Sequence, residues 1–298
     1  MLFKKVYSLR DSQESAFSPI SDQLNFLSFF RITTALVALI EIGSLLPDLQ
    51  LFFSTSGTLI PQDLMYLQTD NFKYLYPLHN YLRAHDLAAN FYPYAIYAYF
   101  TSLFFLLSGL FTRPAALISL LLQLIIFRSF SVYNYGYDNF ITMSLFYCLV
   151  FPVGKNHSVD FILFRRNKKL TFNYRLVLQL HLCIVYFFSG IAKSLDSGWW
   201  DGNSVWRALA SLDNNYFTIA TFIAITIGIG TVLLELFYPA LVYFQSSRKY
   251  ALYLIVLMHA SIAVILDLYA FSAIMITWNI AAFAKLDTYG KTADSHSS

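Results

Sequence analysis

Charge is what this 298-residue chain lacks. Asp, Glu, Lys and Arg make up only 12% of it, about half the share usual in a soluble domain. The net charge of +3 is small, and no basic segment interleaved with aromatic residues occurs, which excludes a nucleic-acid partner. Cysteine is nearly absent too. Cys148 and Cys183 both lie in apolar runs and form no C-x-x-C pair, so no disulfide framework can be argued and both thiols are expected reduced, within the bilayer. There is no helical H-x-x-x-H or H-E-x-x-H, and no metal site is expected. His79 and His85 read as ordinary surface histidines. A glycine-rich phosphate loop and a Ser-His-Asp order at recognisable spacing are missing as well. The polar N-terminus has no apolar core followed by a small-residue cleavage site. No cleaved signal peptide is therefore expected, and the first helix serves as its own insertion signal.

What the chain has in abundance is apolar surface. Hydrophobic residues are 57% and aromatic residues 18% of the sequence. Apolar runs recur near residues 24–46, 91–111, 114–130, 140–153, 174–193, 217–244, 250–266 and 269–284. This pattern predicts an all-α, polytopic membrane helix bundle of about eight transmembrane helices, with the lipid bilayer as its main partner. A polar segment at 1–23, a transmembrane domain at 24–284 and a polar tail at 285–298 follow as the domain organisation. The fourth and eighth runs are short for a span of roughly 20 residues. The sixth carries Gly228, Gly230 and Pro239, and a kink is expected there. Of the 20 Lys and Arg residues, fourteen fall in one set of alternating segments, five in the other, and Arg31 lies within the first helix. The positive-inside rule then puts both termini and the basic loop 155–173 in the cytoplasm, with 47–90 and 194–216 outside.

Ionisable groups at membrane depth are rare and costly. Here they are Arg31, Glu41, Glu235 and His259, with His181 and Gln179 as further polar residues. Each reads either as interhelical hydrogen bonding worth roughly 1 kcal/mol or as part of a site. The fifth run is the most informative. Gln179, Tyr186, Gly190 and Lys193 share one face at about 100° per residue. Ser189, Gly190 and Ala192 are small enough to let another helix approach. A polar stripe on a close-packed face predicts a lined cavity. Lys193 itself reads either as a snorkelling anchor or as a cavity residue. Trp199, Trp200 and Trp206 follow it closely, at least one of them as an interfacial belt. No inverted repeat is evident, which counts against a transporter.

Several motifs stand in a fixed order. Phe30-Arg31 is followed by Glu41 and Ser56-Gly57, then by Gly109-Leu110-Phe111-Thr112-Arg113. Phe151-Pro152-Val153-Gly154 comes next with Ser158-Val159-Asp160. Gln179 precedes Ile184-Val185-Tyr186-Phe187, Ser189-Gly190-Ile191-Ala192-Lys193, Trp199 and Asp201-Gly202. Glu235 and His259 with Phe271-Ser272 complete the set. In this order the chain resembles the HTTM (horizontally transferred transmembrane) family, which includes the vitamin K-dependent γ-glutamyl carboxylase. The resemblance runs over nearly the whole chain. It implies a membrane enzyme with Lys193 as the base that activates a reduced quinone of the vitamin K hydroquinone type. The candidate cavity or ligand-binding residues are Gln179, Tyr186, Gly190, Trp199, Asp201, Glu235, His259, Arg31 and Asp138, with Gln179, Tyr186 and Lys193 expected to line one pocket together with His259 or Glu235. Such chemistry suits lysine, because desolvation in an apolar cavity disfavours an ammonium. Two departures are visible. Tyr137-Asp138 stand where the carboxylase has a histidine, and the chain ends at Ser298, so no counterpart of the carboxylase's large lumenal region is expected. Shorter family members imply an alternative, a non-enzymatic membrane partner in the production, maturation or immunity of a secreted peptide.

Overall fold

The computed structural model describes residues 20–48, 51, 75–128, 134–164, 170, 172–210 and 219–284. Among them every regular element is a helix. The chain divides into two compact units, Leu27–Lys168 and Lys169–Ser298, the latter including Met1–Phe26.

In the first unit the long helix α1 (Ile20–Leu45), which starts in the other unit, is followed by the short helix α2 (Leu75–Ala84). Then come α3 (Ala88–Ser108), α4 (Thr112–Arg128), α5 (Gly136–Val150) and the single turn and a half of α6 (Val159–Phe164). Helices α3, α4 and α5 pack in succession. The α3–α4 corner is held entirely by polar groups, for a physical reason. Helix ends leave backbone groups without intrahelical partners, and lipid offers none. Helix α3 closes in a Schellman motif, Gly109 N donating to Leu106 O at 3.2 Å and Leu110 N to Phe105 O at 3.0 Å. The fully buried Arg31 completes the closure. Its Nη1 donates to Leu106 O and Leu107 O, each at 2.6 Å, and its Nη2 to His157 O at 2.6 Å. A cation at a helix C-terminus is well placed against the helix dipole. The start of α4 is served from the opposite sign. Asp160 accepts from Phe111 N (2.8 Å), Thr112 N (2.9 Å) and Thr112 Oγ1 (2.8 Å), while its own N–H donates to Gly109 O at 2.9 Å. The Phe30-Arg31, G-x-x-T-R and Ser-Val-Asp motifs therefore meet in one joint.

The second unit contains α7 (Tyr174–Ser194), the single turn α8 (Ser197–Trp200), α9 (Asn203–Ala210), α10 (Thr221–Tyr243), α11 (Gln245–Leu266) and α12 (Tyr269–Phe283). Helix α7 packs on α10 and α12, α11 on both α10 and α12, and α8 and α9 on α10. Arg175 closes the C-terminus of α12 as Arg31 closes that of α3. Its Nε donates to Ala281 O at 2.9 Å and Ala282 O at 3.0 Å, and its Nη2 to Ala284 O.

Among the described residues five helices are long and apolar enough to cross a membrane: α1, α3, α7, α10 and α11. Helix α4, over Thr112–Phe127, and α12 are apolar but shorter, and α5 has 15 residues. Each of the eight expected runs is thus helical, with shifted ends. Helix α5 starts four residues before the expected 140, because Asp138 caps it by accepting from Tyr135 N at 3.0 Å. Segments expected as loops contain α2 and α9, which are too short to show an apolar run. Residues 1–19, Ser56-Gly57, Asp63, Asp70, the basic run 165–169 and the tail 285–298 lie outside the described residues.

Gly109 shows how tight the α3–α4 joint is. Its φ is +75°, and a Cβ there would stand 2.4 Å from Ser158 Cβ and 2.8 Å from Ser158 Cα. Gly43 in α1 has nothing within 4 Å of that position. Gly109→Ala is expected to destabilise the protein by about 2–4 kcal/mol, from left-handed strain plus overpacking. Gly43→Ala should be neutral or stabilise by up to about 1 kcal/mol. Thermal unfolding of the two variants in detergent measures the contrast.

Candidate functional site

The polar groups of the second unit gather where α7, α10, α11 and α12 meet. Close approach of α7 and α10 is the precondition. A Cβ on Gly190 would lie 2.5 Å from Leu236 N and 2.8 Å from Leu236 Cα. These are backbone atoms that no rotamer change can move, so only glycine allows this approach. One turn further along α7, Lys193 Nζ donates to Glu235 Oε2 at 2.5 Å and to Ser189 Oγ at 2.7 Å. The Trp199 ring lies with its centroid 5.2 Å from Nζ, within cation–π range. Glu235 is buried, its side chain 6% exposed, whereas that of Lys193 is 22% exposed. The pair therefore has one member inside and one at the rim.

Two turns back along α7 lies a second layer. Tyr186 OH is 2.9 Å from His259 Nε2. Asn279 Nδ2 donates to Tyr186 OH and to Met275 O, each at 2.8 Å, and Tyr238 OH donates to Asn279 Oδ1 at 2.6 Å. The Tyr186 and Tyr238 rings are tilted together at 4.4 Å. All four side chains are buried.

The turn after Lys193 is fixed by its own carboxylates. Asp196 accepts from Gly198 N at 2.9 Å. Asp201 accepts from Asn203 N at 2.9 Å and from Asn203 Nδ2 at 2.7 Å, so its carboxylate starts α9. Gly202 has φ +82°, and a Cβ there would be 2.8 Å from Ile225 N. A Cβ on Gly228 would likewise meet Trp199 O at 2.2 Å. Glycines on both sides thus press the Trp199 turn against α10.

The sequence stripe Gln179, Tyr186, Gly190 and Lys193 divides by role. Lys193 meets Glu235, Tyr186 meets His259, and Gly190 makes the close contact. Gln179 donates to Ala282 O at 2.7 Å, beside the Arg175 cap and about 21 Å along the helix from Lys193. Arg31 and Asp138 belong to the other unit, where one binds backbone carbonyls and the other caps α5. Glu41 is in that unit too and accepts from Tyr135 OH at 3.4 Å. Asn279 and Tyr238 were not singled out from the sequence. The signal for Asn279 was present, a carboxamide inside an apolar helix, but attention to ionisable groups passes over it. Among the described residues no group of three or more His, Cys, Asp or Glu side chains could hold a metal.

A family model described as the HTTM domain matches residues 24–287. No curated protein and no solved structure matches the chain.

The buried member of the ion pair dictates the response to truncation. Glu235→Ala leaves an ammonium without its carboxylate, and Lys193→Ala leaves a buried carboxylate without its cation, the costlier outcome. Removing both should cost less than the sum, with a coupling of about 1–2 kcal/mol in a double-mutant cycle. Thermal unfolding of the four proteins measures it, and strict additivity would contradict the pairing.

Proposed function

Since the chain belongs to the HTTM domain family and is an integral membrane protein, we propose that it is a membrane enzyme acting with a lipid-soluble ligand of the reduced-quinone type, Lys193 serving as base. The observation that carries this reading is the Lys193–Glu235 pair at 2.5 Å, with the Trp199 ring 5.2 Å from Nζ. The residues fit such a ligand. Tyr186, Tyr238, Phe271 and Trp199 offer apolar faces, and the polar groups are few and convergent. When bound, the quinol would supply an oxidisable hydroxyl. The chain's part is to take that proton. Glu235 Oε2 lies 2.5 Å from Lys193 Nζ, the hydrogen-bond reach that a proton relay between the two groups requires. Trp199 holds the ammonium at the rim, and the Tyr186–His259 pair lies two turns further in.

The proposed topology has eight spans with both termini in the cytoplasm. The end of α7 that carries Lys193 then faces the extracytoplasmic side, in keeping with the fourteen-to-five distribution of basic residues. A second reading is favoured by the pair itself. An ammonium already matched by a carboxylate is a stable helix tie that needs no proton transfer, which suits a non-enzymatic partner in the maturation or immunity of a secreted peptide.

Two measurements test these readings. Residues Lys168 and Ser211 lie outside the described residues but on opposite sides of the proposed topology. In intact cells Ser211→Cys should react with an impermeant maleimide and Lys168→Cys should not; the reverse pattern inverts the topology. Arginine keeps the positive charge but cannot give up its proton. Lys193→Arg should therefore leave expression intact and abolish oxygen-dependent oxidation of a naphthohydroquinone by the reconstituted protein, followed by absorbance. Unchanged oxidation in this variant removes Lys193 as base and leaves the membrane-partner reading.

A further inference from the structure

The hydrogen bonds around His259 fix more than a contact. Met275 O can only accept, so the Asn279 atom facing it is Nδ2, and Asn279 Oδ1 is left to accept from Tyr238 OH. The same Nδ2 donates to Tyr186 OH. Tyr186 then has its own proton to place, and His259 Nε2 at 2.9 Å is the acceptor. Neutral His259 consequently carries its proton on Nδ1. The opposite tautomer would strand both the phenol proton and the Nδ1 lone pair, which is the worse arrangement. Nδ1 has no hydrogen-bond partner among the described residues, although His259 is only 3% exposed. Ser272 Oγ, on the neighbouring α12 and in a residue 1% exposed, is also without one. Ser272 adjoins Phe271, whose ring centroid is 5.7 Å from that of His259. Native interiors rarely leave such donors unmet.

We propose that His259 is a ligand-binding residue whose Nδ1–H donates a hydrogen bond to a neutral oxygen of the bound ligand, a hydroxyl in its reduced form and a carbonyl in its oxidised form, with Ser272 as a second polar contact. The Tyr186–Asn279–Tyr238 network acts as the holder of the tautomer. A neutral acceptor fits better than an anion, because the site is buried and its only cation, Lys193, is already matched by Glu235. This inference rests on the proposed lipid-soluble ligand for its choice of probe, and its test uses neither Lys193 nor turnover.

Menadione and 2-methylnaphthalene share a ring system and differ in the two carbonyl groups. Binding of each to the full-length protein in detergent is measured by calorimetry. The wild-type protein should prefer menadione by about tenfold, the scale of one buried hydrogen bond. An asparagine amide reaches the position of Nδ1, and a glutamine amide that of Nε2. His259→Asn should keep the preference to within about threefold, while His259→Gln loses it yet preserves the Tyr186 contact. A purely structural histidine gives the reverse order. The proposal is overturned by a wild-type protein without the preference, or by a His259→Gln variant that retains it. It is also overturned by nitrogen NMR of the wild-type protein placing the His259 proton on Nε2, a measurement that does not depend on any variant folding. Should Lys193→Arg keep its oxidation activity while the His259 series behaves as stated, the base assignment fails and the ligand contact stands.

Discussion

A backbone carbonyl or N–H at a helix end has no partner in lipid, and this constraint accounts for most of the buried charge among the described residues. Arg31 and Arg175 each end a helix by donating to its last carbonyls. Asp160 and Asp138 each begin one by accepting from free N–H groups. The signs follow the helix dipole throughout, cations at C-termini and carboxylates at N-termini. Charges that look like candidates for chemistry when read one at a time are thereby committed to the architecture. Arg31 is the clearest case, fully buried and occupied by three carbonyls.

The Lys193–Glu235 pair is of another kind. Neither side chain ends a helix by reaching a backbone group. They reach each other, across two helices, and they do so because Gly190 lets α7 lie against the backbone of α10 at Leu236. A few tenths of an ångström of added separation would lengthen a 2.5 Å contact out of its strongest range. The small residue and the charged one are therefore parts of the same device, separated by one helical turn. Gly228 and Gly202 extend it by seating the Trp199 turn on α10, which brings an aromatic face to the ammonium.

Behind the pair, the Tyr186 layer is neutral and directional. Tyr238, Asn279, Tyr186 and His259 form a hydrogen-bonded chain, anchored where Asn279 Nδ2 also donates to Met275 O. Networks of this sort are rigid when satisfied. This one ends in an unmatched nitrogen beside a charged pair. The charged pair, the neutral network and the Trp199 ring thus stand together at one end of α7.

The sequence by itself determined the helical class, the positions of the apolar helices to within a few residues, and the face of α7 that carries Lys193. Apolar run length and a 3.6-residue period are local properties, legible without knowing what packs where. The ordered motifs were also legible as a set. Their division of labour was not. Nothing in the chain says that Arg31 turns to the end of α3, or that Gln179 serves α12, while Lys193 finds a carboxylate 42 residues on. Nor does it say which nitrogen of His259 is left over, which depends on Asn279 being held by Met275 O and Tyr238. The tertiary structure decided these points, because the partner of a buried polar group is set by which helices cross and at what height, a relation between distant segments that no local pattern encodes.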